Sequence, residues 1–231
     1  DEDAIHFGID GFAHRQFLNK FFVNRFPGSF ARGEPFQDNP ATGDCRISGT
    51  AASLCGVEQG DVHGIPRLLL LYGVVLASGG IPLIYLGDEV ATLNDHTWQD
   101  DAHKAVDSRW LHRPARDDAR YAQRRDPSTP AGRMFTGLTH LIGLRRHLPA
   151  LAGGTLTPFW TQNPAVLGLQ RGQGRGAVLV LANFSEQVQA VDASVLAALP
   201  AQAVDLVGGG GFALREGLTL QPYQQLWLQQ P

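Results

Sequence analysis

Two carboxylates and three arginines are the residues in this sequence best suited to chemistry. Asp88 and Glu89 stand near the end of the stretch "GIPLIYLGDEV". There, an apolar run over Ile81–Leu86, broken only by Pro82, passes through one glycine into the acids. A run of that kind reads as a strand buried on both faces. The acids at its mouth could cap or salt-bridge the following loop, or could face a substrate. Arg15 in "HRQF", Arg46 in "GDCRISG" and Arg109 in "DSRW" each offer a guanidinium, an always-charged planar fork of donors that fits sugar hydroxyl pairs and carboxylates. On chemistry alone Arg15 reads as a helix-surface charge, Arg46 as a loop charge and Arg109 as one half of a loop ion pair. Phe17 and Phe36 could stack on a sugar but read first as core. His14, His103 and His112 show no spacing that suggests a base or a ligand, and Arg120 with Arg124 and Arg125 reads as a solvated run.

These residues need elements to hold them. His14–Phe26 has apolar positions 17, 18, 21, 22, 23 and 26 with basic residues between, the pattern of an amphipathic helix. Residues 27–50, rich in Gly, Pro, Asn and Asp, read as a long loop. Ile65–Gly80 has Pro66 in its first turn and ends in two glycines, as a capped helix does, and its apolar residues run almost all the way round, so it is expected to be buried. Residues 93–130 are polar and without period, a second long loop. A helix follows, with Met134, Phe135, Leu138, Leu141, Ile142 and Leu144 on one side and a basic end at Arg145, Arg146 and His147 that suits the helix dipole. Beyond Gly154 come short, often alternating runs separated by Gly-rich turns, the texture of an antiparallel β-domain.

Bulk composition narrows the function classes. The chain has 231 residues, 43% of them hydrophobic, and a net charge of −3 that gives no general attraction to nucleic acid or to an anionic membrane. No apolar run approaches the ~20 residues of a membrane span. Cys45 and Cys55 read as reduced thiols rather than a disulfide framework, and no Cys/His cluster suggests a metal. The opening "DEDAIHFGID" carries no Met and reads as a processed end or an excised piece.

The first 150 residues hold several helices but one convincing buried strand, and a buried strand needs neighbours on both edges. We therefore expect its partners upstream, outside these residues. Helix, strand, long loop and helix in that order is one segment of a (β/α)8 barrel, in which chemistry sits on the loops after the strand C-termini.

"GIPLIYLGDE" resembles the signature near the eighth strand of the α-amylase superfamily of glycoside hydrolases. "HRQFLNKFFVNRFPGSFARG", "NPATGDCRISGT", "LIYLGDEVATLND", "DSRWLHRP" and "LTLQPYQQLWL" resemble amylosucrase, in its order and essentially from end to end; sucrose hydrolase shares much of this. The resemblance implies an α/β fold: the C-terminal part of a (β/α)8 TIM barrel followed by an all-β antiparallel sandwich. Residues 1–60 would be a segment inserted after strand 7 and its return to the barrel, 61–152 the last part of the barrel, and 153–231 the sandwich. It implies a retaining transfer of glucose from sucrose to an α-1,4-glucan acceptor, with no cofactor because the sucrose bond is already activated. It also implies that the nucleophile, the acid/base and a third aspartate lie upstream of Asp1, so that this chain lacks the catalytic centre and partners the N-terminal part of the same protein. By the same resemblance, Arg109 would pair with an upstream aspartate at the floor of the glucose pocket. Arg15 and Arg46 would contact the acceptor, while Asp88 and Glu89 would position rather than react. Sucrose hydrolysis, and a non-catalytic carbohydrate-binding or assembly module, are the alternative readings.

Overall fold

The computed structural model describes residues 8–39, 41–197 and 201–231; the acids Asp1, Glu2 and Asp3 lie outside them. The chain divides into two compact units, and these do not follow chain order. One comprises residues up to Ile65 together with Tyr85–Arg133; the other is Pro66–Ile84 with Met134–Pro231.

The first unit opens with helix α1 (Gly11–Phe22), started by Asp10, whose carboxylate accepts from the Ala13 amide. The composition-based loop that follows is in fact a hairpin. Strands β1 (Glu34–Asn39) and β2 (Asp44–Ser48) pair antiparallel, with Phe36 opposite Arg46 and an irregularity toward the turn. Turn-forming residues at the tip disguised two short strands flanking it. Helix α2 (Ala51–Leu54) is capped by Thr50. The second expected loop is a chain of short 3₁₀ turns, His96–Asp100, Ser108–His112 and Gln123–Arg125, with helix α4 (Asp118–Ala122) among them. Asp95, Asp107 and Asp117 each cap one of these elements, so the polar texture encoded local turns rather than irregular chain.

The second unit is built on a sheet of order β3-β4-β5-β10-β7-β8. Its strands are β3 (Leu156–Phe159), β4 (Val166–Arg171), β5 (Val178–Asn183), β7 (Gln202–Asp205), β8 (Gly211–Ala213) and β10 (Gln225–Gln229). A separate pair, β6 (Gln189–Val191) with β9 (Leu218–Leu220), makes a second layer. Every ladder among the described residues is antiparallel, as the sequence texture indicates. Leu179, Leu181, Leu226 and Leu228 of the central strands share one core with Val191, Leu218 and Leu220 of the second layer.

The opposite face of the sheet carries Val180 and its register partner Trp227, both fully buried. Helix α3 (Gly64–Ser78) reaches this face: Gln225 Nε2 donates to the Leu69 carbonyl at 3.0 Å. A Cβ on Gly73 would fall 1.6 Å from Gln225 Oε1, so the glycine permits the close approach. Helix α5 (Pro130–His147) packs beside α3, and α6 (Pro149–Gly153) follows. Arg145 of α5 does not serve its own helix end. It donates to the Leu76 carbonyl and, at 2.8 Å, to that of Gly80. Arg171, buried on β4, donates to the Ser78 carbonyl at 3.0 Å and to those of Ala150 and Leu151 at 3.3 Å. Two guanidinium groups thus satisfy carbonyls at the C-terminal end of α3, where cations are favoured.

Two expectations fail together. Helix α3 is not buried all round, since Leu71 and Val75 are exposed. Ile81–Leu86 is not a strand: it makes no ladder among the described residues, and Ile81, Leu83 and Leu86 are 98%, 75% and 79% exposed. The described ladders include no parallel pair, so the barrel architecture remains an expectation while the antiparallel β-domain is observed.

Candidate functional site

All five residues singled out from the sequence lie in the first unit. Asp88 and Glu89 occupy a 3₁₀ turn, Asp88–Val90, entered through Gly87 at φ +99°. A Cβ at Gly87 would meet Thr92 Oγ1 at 2.7 Å, so glycine is required twice over, for conformation and for space. Asp88 is buried. Glu89 is tied down on both oxygens: Oε2 accepts from the Gly87 amide at 2.7 Å and Oε1 from the Tyr121 hydroxyl at 2.5 Å. Burial, and then the hydrogen bond to Glu89, push the Tyr121 phenol up to about 12. Arg120 donates to the Ala91 carbonyl at 2.8 Å, so it is no solvated charge; burial holds its pKa below the ordinary guanidinium value. Glu89, Tyr121 and Arg120 therefore fix the turn that presents Asp88.

The hairpin carries the arginine cluster. Arg15 of α1 pairs with Asp44 of β2, and that bond is the first reason the Asp44 carboxyl lies below the usual range. Gln16 and Asn19 both donate to the Gly43 carbonyl at 2.9 Å, so one helix face clasps the hairpin. Arg46 is exposed on β2 and, as the register partner of Phe36, lies on the same face. Arg109 stacks over Phe36 with its guanidinium carbon 4.7 Å from the ring centroid. It is also held by Asp107 in a forked ion pair, Nε at 2.9 and 3.0 Å and Nη2 at 2.6 Å. The pair pulls the Asp107 carboxyl down to about 2. Ser108 anchors the same turn by donating to the Pro35 carbonyl at 2.9 Å. Phe36, Arg46 and Arg109 thus meet on one surface, whereas Arg15 is engaged with Asp44. Phe17 belongs instead to an aromatic cluster with Phe21 and Phe26.

The turn Ser108–His112 joins this surface to a cleft of about 280 Å³ lined by Gly49, Thr50, Ala51, Tyr85, Asp88 and His112. Arg109 at its start faces the hairpin, and His112 at its end faces the buried aspartate's cleft. Sequence spacing pointed to neither His112 nor Tyr121, because both act across tertiary contacts. Among the described residues no group of three His, Cys, Asp or Glu could hold a metal ion, and no helix is long and apolar enough to cross a membrane.

A family model, amylosucrase C-terminal domain, matches residues 158–229. Residues 158–229 are thus similar to the C-terminal domain of amylosucrase. The matched stretch runs from within β3 to the end of β10 and so takes in the antiparallel sheet, apart from the first half of β3, and its second layer. Solved structures of α-amylase-family enzymes match more of the chain. A substituted AmyP in complex with maltotriose aligns with TM-score 0.61 and 20% identity over 78% of this chain. Trehalulose synthase MutB from Pseudomonas mesoacidophila MX-45 aligns with TM-score 0.52 and 21% identity over 71%. Pullulanase from Anoxybacillus sp. LM18-11 aligns with TM-score 0.55 and 15% identity over 80%. These likenesses show that the chain shares its fold with part of each of these proteins. The chain spans 38% of the AmyP and MutB chains and 26% of the pullulanase.

Proposed function

We propose that this chain is the C-terminal portion of an amylosucrase-type retaining transglucosylase. The observation that carries the reading is the amylosucrase C-terminal domain at residues 158–229, preceded in the same chain by the amylosucrase-like segments around Arg15, Arg46, Asp88 and Arg109. In the parent, a carboxylate attacks the anomeric carbon of the glucosyl unit while a carboxylic acid protonates the departing fructose oxygen. The 4-hydroxyl of an α-glucan then attacks the same carbon, giving up its proton to the acid/base as the carboxylate leaves. Two carboxyl groups about 5 Å apart suit that double displacement.

In this reading those groups stand on the preceding part of the polypeptide, and this chain supplies positioning and specificity. The exposed run Ile81–Leu86 is the barrel's eighth strand, and its apolar side chains, with Leu71 and Val75, pack against barrel elements upstream. Asp88 and Glu89 shape the pocket rim. Arg46 and Arg109, gathered around Phe36, hold the sugar chain, and Arg109 exchanges Asp107 for an upstream aspartate when the pocket is complete. Arg15 supports the acceptor site by holding the hairpin through Asp44.

Incubating the parent polypeptide with sucrose tests the reading. Release of fructose with growth of an α-glucan is expected. Equal release of glucose and fructose without glucan would reassign the acceptor to water, and no fructose release would overturn the reading. This chain alone is expected to release none.

A further inference from the structure

We propose that His112 is a specificity-determining residue of the sugar pocket, donating a hydrogen bond from Nε2 to a hydroxyl of the bound glucosyl ring. The inference rests on the function proposed above and deepens it. Its ground is the environment of the two ring nitrogens. Nδ1 is buried and has no hydrogen-bond partner among the described residues. The ring makes no other side-chain hydrogen bond there, and it lines the cleft that also holds Asp88 and Tyr85. An unmatched N–H in a buried place costs more than an unmatched lone pair, so the proton of the neutral ring resides on Nε2, the nitrogen left to the cleft.

The surroundings keep that ring neutral. Burial first, then the charges of Arg113 and Arg109, hold His112 below the ordinary imidazole range, with Asp107 opposing them weakly. A neutral donor can bind a sugar hydroxyl without adding a charge to be desolvated, while a carboxylate such as that of Asp88 is acceptor-only. The cleft's volume of about 280 Å³ lies just under the range typical of small-molecule pockets, in keeping with a single ring rather than a chain.

The test uses the parent polypeptide with sucrose, comparing His112→Ala and His112→Gln. One lost hydrogen bond corresponds to a rise in KM of about tenfold for His112→Ala, with kcat changed by less than about threefold. His112→Gln keeps a side-chain donor and recovers most of that loss, a rescue that a purely packing role would not show. An active parent in which His112→Ala leaves KM unchanged would overturn the assignment while sparing the function. If the parent does not act on sucrose, the second arm decides: ¹⁵N-histidine spectra of the parent titrated with glucose. A shift of the Nε2 resonance that disappears in His112→Gln supports the contact, and an unmoved resonance refutes it.

Discussion

Val178–Asn183 and Ile81–Leu86 are six-residue apolar runs of similar character, and the structure treats them in opposite ways. The first, β5, lies between β4 and β10 with every residue buried. The second pairs with nothing among the described residues and turns Ile81, Leu83 and Leu86 to solvent. Side-chain hydrophobicity is therefore not what distinguishes them. A central strand has to satisfy an N–H and a C=O on each edge, and only partner strands do that without water. Those of β5 are supplied by β4 and β10; for Ile81–Leu86 no partner strand is found among the described residues. In the function proposed above, the contrast separates a sheet built by this chain from a segment shaped for neighbours on another part of the polypeptide.

Substitutions can sharpen the contrast. Trp227→Ala, at a fully buried position of strand β10, is expected to destabilise the chain by about 3–5 kcal/mol in denaturant titration. Leu83→Ala in the same chain is expected to change stability by less than about 0.5 kcal/mol. Comparable losses from the two would mean that residue 83 is already in a core. Arg171→Met is next in size. It removes a buried guanidinium that serves three carbonyls, and a loss of about 2–3 kcal/mol is expected by thermal or chemical unfolding. An unchanged midpoint would show that the end of α3 does not depend on that residue.

The smallest effect concerns the turn bearing Asp88. Tyr121 is raised to about 12 in the folded protein from an ordinary value near 10, so folding favours its protonated form. Its contribution to stability is full below pH 10 and is lost as pH rises toward 12. Glu89→Gln is expected to lower the phenol's ultraviolet titration midpoint toward, but not to, the ordinary value, because burial remains. A midpoint that does not move would remove Glu89 from the network.

Much of this organisation was legible in the residues themselves. Helices α1, α3 and α5 carried their periodicity and end signals, and the onset of the antiparallel domain was visible from the alternation after Gly154. The hairpin was hidden, because Pro35 and Asp38 inside its first strand imitate loop composition and the pairing depends on register, not propensity. At the site, the Asp107–Arg109 pair lies two residues apart and could have been read locally. Tyr121 on Glu89, Arg120 on Ala91 and Arg109 on Phe36 could not, since each contact spans roughly thirty to seventy residues of chain. The buried-strand expectation failed for a different reason: hydrophobic pattern alone cannot supply partner strands, and none pairs with Ile81–Leu86 among the described residues.

Amide hydrogen exchange at Leu83–Leu86, measured in this chain and in the parent polypeptide, tests the proposed architecture most directly. Unprotected amides here and strong protection in the parent, at the level of β5, are the expected result. Equal exchange in the two would contradict the account, since Ile81–Leu86 would then not be a barrel strand completed by the rest of the protein.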